Sequence, residues 1–274
     1  MKINTNVVSL NTQNLLRKSS QSMENHMSRL SSGKRINSAA DDAAGIAIAT
    51  RMDSKIRGMD VGMRNSNDGI SAVQTAESAL GSITNILQRM RDLAVQSVNG
   101  TNNDDDRAAL DNEFGQLKEE INHIADKTTF NGIQLLNDDS KEIAIQLSDV
   151  AKDTMSIGLT NATAAGLSLD GTEDNIKTDA DTTNAVIDTI DAAIKTVSDK
   201  RAQFGANLNR LNFNVDNISN ASTNLSNAKS RIEDADMAAE VSQMTKDKIL
   251  VQSGMAMLSQ ANQNPQQITQ LLQG

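Results

Sequence analysis

Cysteine, tryptophan and tyrosine are absent from this chain of 274 residues, and it holds one proline and four phenylalanines. Without Cys there is no disulfide, thiolate metal ligand or thiol nucleophile, and an exported protein of this kind can travel as an unfolded thread. Four Phe and no Trp or Tyr exclude a wide aromatic core. Cations are outnumbered too: 26 Lys and Arg against 35 Asp and Glu give a formal charge of −9 and a pI near 4.8. Nucleic-acid binding through phosphates needs clustered Lys and Arg, so no nucleic-acid partner is expected. No apolar run is long enough to span a bilayer, so no membrane insertion is expected either. The opening MKINTNVVSLNTQNLLRKSS has no uninterrupted apolar core of secretory length. The expectation is that the protein stays in the cytosol or leaves by a route that reads another signal.

What the chain does contain is Ala, Ile, Leu, Val and twelve Met, a palette for narrow helix seams and interfaces that repack. From Ile187 to Ile232, positions 187, 190, 194, 197, 201, 204, 208, 211, 215, 218, 222, 225, 229 and 232 step alternately by three and four. This is a heptad seam, broken only by Arg201, Ser222 and Lys229. A helix of that length runs roughly 70 Å at about 1.5 Å per residue, so it must lie along other long helices.

Upstream, Leu16, Met23, Met27 and Leu30 mark a thin amphipathic helix within residues 1–33. Ser38-Ala-Ala-Asp41-Asp42 offers caps for a long helix starting near Ala43. Its Met52, Ile56, Met59, Met63, Ser66, Ile70 and Val73 follow one register, and Ala76, Leu80, Ile83, Leu87, Met90 and Ala94 another. The three-residue step between them predicts local overwinding or a change of packing partner near Gln74 to Ala76. A further helix, about Asp105 to Lys127, follows a short turn and should fold back antiparallel. Alternation at Ile143, Ile145 and Leu147, then at Met155, Ile157 and Leu159, predicts a β-hairpin. Thr160 to Thr183 reads as surface loop. A last helix carries Val241, Met244, Val251, Met255 and Leu258, is expected to end or kink at Pro265, and precedes an apolar patch of Ile268, Leu271 and Leu272. The fold class is therefore mainly α: long antiparallel helices in a coiled-coil or bundle rod, with a small β-hairpin between about 130 and 160. Both ends are thin segments unable to fold alone, and each is able to complete the other.

Two blocks carry a family resemblance. Leu30-Ser-Ser-Gly-Lys-Arg-Ile-Asn-Ser-Ala-Ala-Asp-Asp-Ala-Ala-Gly-Ile-Ala-Ile-Ala49 resembles the amino-terminal signature of bacterial flagellins, and Ser230-Arg-Ile-Glu-Asp-Ala-Asp-Met-Ala-Ala-Glu240 resembles the carboxy-terminal one. The blocks Leu87 to Gln96 and Gln266 to Gly274 fit as well, so the resemblance covers nearly the whole chain, without large outer variable domains. It implies a self-assembling subunit of the extracellular filament, with 1–33 and 235–274 as inner coiled coil and 34–234 as middle domain, about 130–185 being the short variable region. Leu16, Met23, Met27, Leu30, Val241, Met244, Val251, Met255, Leu258, Leu271 and Leu272 become the expected self-assembly residues. Implied partners are other copies of the chain, a flagellar export chaperone, the type III export apparatus, the filament cap and the hook-associated proteins. By the same resemblance Arg89, Leu93 and Glu113 match positions bound by the mammalian Toll-like flagellin receptor. Rival readings are a hook–filament junction protein and a cytosolic helical signalling scaffold.

No enzyme, cofactor or metal site is expected. His26 and His123 have no second His at ligand spacing and read as surface or interface residues. Asp104-Asp-Asp106 lacks the Gly and distal Glu of a calcium loop and reads as a solvated turn. Gly33 and Gly45 read as backbone adjustment near a helix start, since no Lys-Ser or Lys-Thr follows a Gly-rich run.

Overall fold

A computed structural model of the chain describes residues 5–171, 176, 177 and 180–273, with side chains described as far as 263. Among the described residues, five helices and two short hairpins follow in order: α1 (Val7–Ser32), α2 (Ala43–Val98), α3 (Asp104–Lys127), β1 (Thr129–Phe130), β2 (Ile133–Gln134), β3 (Glu142–Gln146), β4 (Thr154–Gly158), α4 (Ala180–Glu233) and α5 (Met237–Gln273). Contacts divide the chain into two units, residues 57–222 and residues 1–56 with 223–274. The limits expected from sequence, 33 and 235, fall between helices, just after α1 and between α4 and α5, and α2 and α4 each contribute to both units.

In the middle unit α2 buries a seam of positions 62, 66, 69, 73, 76, 80, 83, 87, 90, 94 and 97, with Ala72, Thr84 and Leu93 buried beside it. That alternation of four and three is unbroken, so the overwinding expected near Gln74 to Ala76 is absent. The cause lies in Gly62 and Gly69, which occupy seam positions that hydropathy assigns to Met63 and Ile70. A Cβ on Gly69 would stand 2.1 Å from Ile145 Cδ1, one on Gly62 would stand 2.4 Å from the Leu147 carbonyl oxygen, and one on Gly58 would stand 2.5 Å from Asp149 Cβ. The β3–β4 hairpin therefore sits on a strip of α2 stripped of side chains, and Asn65 Nδ2 donates to the Gln146 carbonyl at 3.3 Å. Within the hairpin Ile143 faces Ile157 and Ile145 faces Met155, as the alternation requires. Asn131-Gly132, both with positive φ, closes the smaller β1–β2 hairpin.

Asn103 and Asp106 form a reciprocal capping box at the start of α3, so the Asp104-Asp-Asp106 run completes a helix N-terminus. Of the expected surface loop, residues 160–171 and 176 are packed into the core rather than lying free on the surface, residues 180–183 open α4, and residues 172–175, 178 and 179 lie outside the described residues. Ala164, Leu167, Leu169 and Ile176 are buried in the same core as Leu87, Phe114 and Ile190. Asn122 Oδ1 accepts from Ala164 N at 2.8 Å, Asp111 Oδ1 accepts from Ile176 N at 3.0 Å, and Ser97 Oγ donates to the Ile176 carbonyl. These anchors come from α2 and α3, while the segment's own Asn161 and Thr163 shape it from within, Thr163 N and Oγ1 donating to Asn161 Oδ1 at 3.1 and 2.7 Å. On α4, seam positions 190, 197, 204, 211 and 218 are buried and none of the others is exposed. Arg201 interrupts the seam because it donates from Nε and Nη2 to Glu77 Oε1, at 3.1 and 2.7 Å.

Candidate self-assembly interface

The two signature blocks meet in the terminal unit. Gly33 ends α1 with φ +72, a left-handed conformation that glycine adopts without a Cβ penalty. The chain then runs beside the end of α4: Lys34 and Asp234 form an antiparallel bridge, framed by Arg35 N donating to Glu233 O at 2.6 Å and Ala235 N donating to Gly33 O at 3.0 Å. Arg35 Nη2 donates to the Ile232 carbonyl at 2.8 Å, satisfying one of the last acceptors of α4. Lys34 pairs with Glu233, and this contact raises the lysine pKa above its ordinary value. Lys229, the second charged break in the α4 seam, pairs with Asp53 of α2 and lies 3.8 Å from Glu233.

The rest of the amino-terminal signature starts α2. Asp41 Oδ2 accepts from the backbone N–H of Ser38 and Asn37 at 3.0 and 3.1 Å, which holds its carboxyl below the usual carboxylate range. Asp42 Oδ1 accepts from Gly45 N at 2.9 Å, as an N-cap does. A Cβ on Gly45 would stand 2.6 Å from buried Ile36, so glycine admits the close turn. Asp236 caps α5, its Oδ1 accepting from Ala238 N and Ala239 N.

Beyond this clasp α1 and α5 run antiparallel. Asn6 Nδ2 donates to Ala261 O at 2.8 Å, Ser9 Oγ donates to Asn262 Oδ1 at 2.9 Å, and His26 lies against Glu240 and Asp247. Six of the expected apolar residues, Leu16, Met23, Leu30, Met244, Val251 and Leu258, are half-buried in the seam. Met27, Val241 and Met255 are not part of it and stay exposed. Polar and small groups hold the neighbouring seam positions instead: Ser9, Thr12, Ser19 and His26 on α1, and Glu240, Asp247 and Gly254 on α5. Hydropathy does not count these residues, although their spacing of three and four marks them. The side chains of Leu271 and Leu272 lie outside the described residues; the α5 backbone continues through Pro265 to Gln273, so the expected break does not occur. A proline removes one backbone donor, a local loss that the turns on either side outlast.

Large apolar groups face outward all along this pair: Val7, Val8, Leu10, Leu15 and Met27 on α1, and Met237, Val241, Ile249, Leu250, Met255 and Met257 on α5. Helical spacing puts Val241 and Met255 on one flank of the α5 seam and Leu250 and Met257 on the other. In the middle unit Arg89 donates from Nε and Nη2 to Glu113 Oε1 at 2.9 and 2.7 Å, bridging α2 and α3 with both side chains about half exposed. Leu93 is only 1% exposed, in the core. Four residues from Arg89, it lies on the inward side of α2.

Models of the bacterial flagellin N-terminal and C-terminal helical regions match residues 3–141 and 187–272. The chain belongs to the bacterial flagellin family. This flagellin is 47% identical over 285 residues to a flagellin of Listeria monocytogenes, covering 99% of each chain. It is similar to the crystal structure of Bacillus cereus flagellin at 45% identity and a TM-score of 0.51, over 61% of this chain and 94% of that one. A putative flagellar hook-associated protein of Vibrio parahaemolyticus matches with a TM-score of 0.60 over 71% of this chain and all of that one. At 16% identity that likeness shows the fold alone, and it lends the junction-protein reading nothing further. Flagellin is a structural family, and this chain is a subunit of the flagellar filament.

Proposed function

We propose that this flagellin builds its filament by burying the outward apolar flanks of α1 and α5 against neighbouring copies, so that ordering of the chain ends and assembly are one event. The observation that carries this reading is the pair of opposite flanks on α5, Val241 with Met255 and Leu250 with Met257. A helix apolar on more than one side is stable when enclosed, and α1 covers only one side. Heterologous contacts that do not close into a ring extend such a unit into an open helical polymer. Coupling order to assembly also discourages polymerisation before export.

Export as an unfolded chain through the flagellar type III apparatus, a chaperone masking the apolar α5 segment, and growth beneath a cap next to hook-associated proteins complete the proposal. The absence of Cys and the thin polar seam between α1 and α5 are in keeping with a chain that unfolds and refolds cheaply. Recognition by the mammalian Toll-like flagellin receptor belongs to the proposal too, through the exposed Arg89–Glu113 pair, with Leu93 holding α2 in place from beneath. Charged Arg anchors of this kind are common at interface centres.

The test is truncation. Full-length protein, seeded and viewed by electron microscopy, should give long tubes of uniform width, and a version lacking residues 1–33 and 235–274 should give none. Stable hollow fibres from the truncated chain would end this reading. So would strong amide-exchange protection of both termini in the free monomer.

A further inference from the structure

Charge is distributed unevenly between the two helices of the terminal seam. The one carboxylate of α1, Glu24, is exposed, and the groups α1 turns toward its partner are His26 and Arg29. On α5 the arrangement is opposite: Glu240 and Asp247 face α1, while Lys246 and Lys248 are exposed. His26 Nδ1 lies against Glu240 Oε2, His26 Nε2 lies 3.6 Å from Asp247 Oδ2, and Arg29 Nη1 lies 3.4 Å from Glu240 Oε1. All four side chains are shielded, between 13% and 29% exposed.

We propose that these four residues are a pairing code, by which α1 accepts only α5, in one antiparallel register, and neither helix pairs with its own kind. The code rests on the filament reading for its purpose, because in a polymer each thin helix meets many copies of both. The apolar seam cannot discriminate: Leu16, Met23 and Leu30 pack as readily against each other as against Met244, Val251 and Leu258. Polar groups in a seam can, by penalising the wrong partner. Two α5 helices would set Glu240 and Asp247 against carboxylates. Two α1 helices would set His26 and Arg29 against one another. A slip of one heptad would carry His26 away from one of its two carboxylates, leaving that carboxylate unmatched in the seam.

The absence of native Cys makes pairing readable by one engineered disulfide. A Cβ on Gly254 lies 3.9 Å from Leu16 Cβ, within the span a disulfide bridges. Oxidation traps the pair each time the ends meet, so it reads partner choice without needing ends that stay ordered in the free monomer. Full-length Leu16→Cys/Gly254→Cys monomer, oxidised in dilute solution, should close a loop seen as a mobility shift on a denaturing gel without reductant. In that background, reversing α1 with His26→Glu and Arg29→Glu should lower the yield roughly tenfold, and so should reversing α5 with Glu240→Lys and Asp247→Lys. Combining both reversals should restore the yield, which simple loss of packing would not allow. The proposal is overturned if either one-sided reversal crosslinks like the parent, or if the combined protein stays as low as the one-sided ones. Seeded polymerisation of the same proteins reads the filament separately. Crosslinking that follows the code while even the parent forms no filament would sink the assembly reading and leave the pairing code standing.

Discussion

Replacing glycine by alanine inside a helix ordinarily stabilises it by about 0.5–1 kcal/mol. Gly62→Ala should do the reverse. Its methyl would stand 2.4 Å from the Leu147 carbonyl oxygen, 2.9 Å from Leu147 C and 3.1 Å from Ser148 Cα, all of them backbone atoms. No side-chain rotation relieves that contact, so either the hairpin lifts or α2 shifts, at an overpacking cost of about 1–3 kcal/mol. The net effect is a loss of about 1–2 kcal/mol, from the propensity gain and the packing cost together. Gly205 in α4 and Gly115 in α3 have nothing within 4 Å of the same position, so alanine there should show the ordinary gain. Gly69→Ala should fall between, since its obstacle is the far end of the Ile145 side chain. Thermal melts of full-length monomer by circular dichroism separate these signs, at roughly 2–4 °C per kcal/mol for a unit of this size. Gly62→Ala should melt about 2–8 °C below the parent, and Gly205→Ala and Gly115→Ala about 1–4 °C above it. A Gly62→Ala protein that melts above the parent would mean that the hairpin does not rest on α2 as described.

The receptor positions should separate in the same way. Leu93→Ala removes a buried side chain and should cost about 2–5 kcal/mol by calorimetry. Arg89→Ala should change stability by no more than about 1 kcal/mol and yet abolish receptor signalling by soluble monomer; an unchanged response would dismiss the receptor reading. Asp138 accepts from Ser140 and Lys141, which lowers its pKa from 3.8 to about 2. A group depressed in the folded state contributes above its ordinary pKa and loses its contacts as pH falls through the folded value, so carbon-detected NMR should place its midpoint near 2 and Ser140→Ala should move it upward.

The parts of the fold legible from sequence were those in which large apolar groups alone set the period. The α4 seam, the alternation of β3 and β4 and the cap at Asp42 all follow from such patterns or from short polar motifs, whereas the capping box of Asn103 and Asp106 lies in a run that reads as a solvated turn. The parts missed were those in which a small or polar group holds a buried position. Gly62 and Gly69 leave no mark on a hydropathy profile, so the α2 seam read one residue out of step and an overwound segment was expected. His26, Glu240 and Asp247 occupy seam positions that apolar counting passes over in favour of Met27, Val241 and Met255. Residues 160–171 and Ile176 bury Leu167, Leu169 and Ile176 without helical or strand periodicity, held by hydrogen bonds with Asp111, Asn122 and Ser97 on other elements. Such long-range anchors have no local signature.

The net charge of −9 is not spread evenly, and this decides where electrostatics opposes assembly. The terminal unit, residues 1–56 and 223–274, carries twelve Lys and Arg against nine Asp and Glu, whereas residues 57–222 carry fourteen against twenty-six. Repulsion between copies must therefore arise in the middle unit, while the apolar terminal faces meet with little charge of either sign to overcome. At about 10 mM salt the screening length is about 30 Å, long enough for middle units to repel before any contact forms; near 100 mM it is about 10 Å. Seeded polymerisation should accordingly accelerate several-fold over that range. Neutralising four exposed middle-unit acids, with Glu119→Gln, Asp139→Asn, Asp199→Asn and Asp216→Asn, should flatten the dependence, while Lys246→Gln with Lys248→Gln on α5 should not. If the four-acid variant kept the parent's salt dependence, the brake on assembly would not be the middle unit's charge, and the terminal helices would have to supply it themselves.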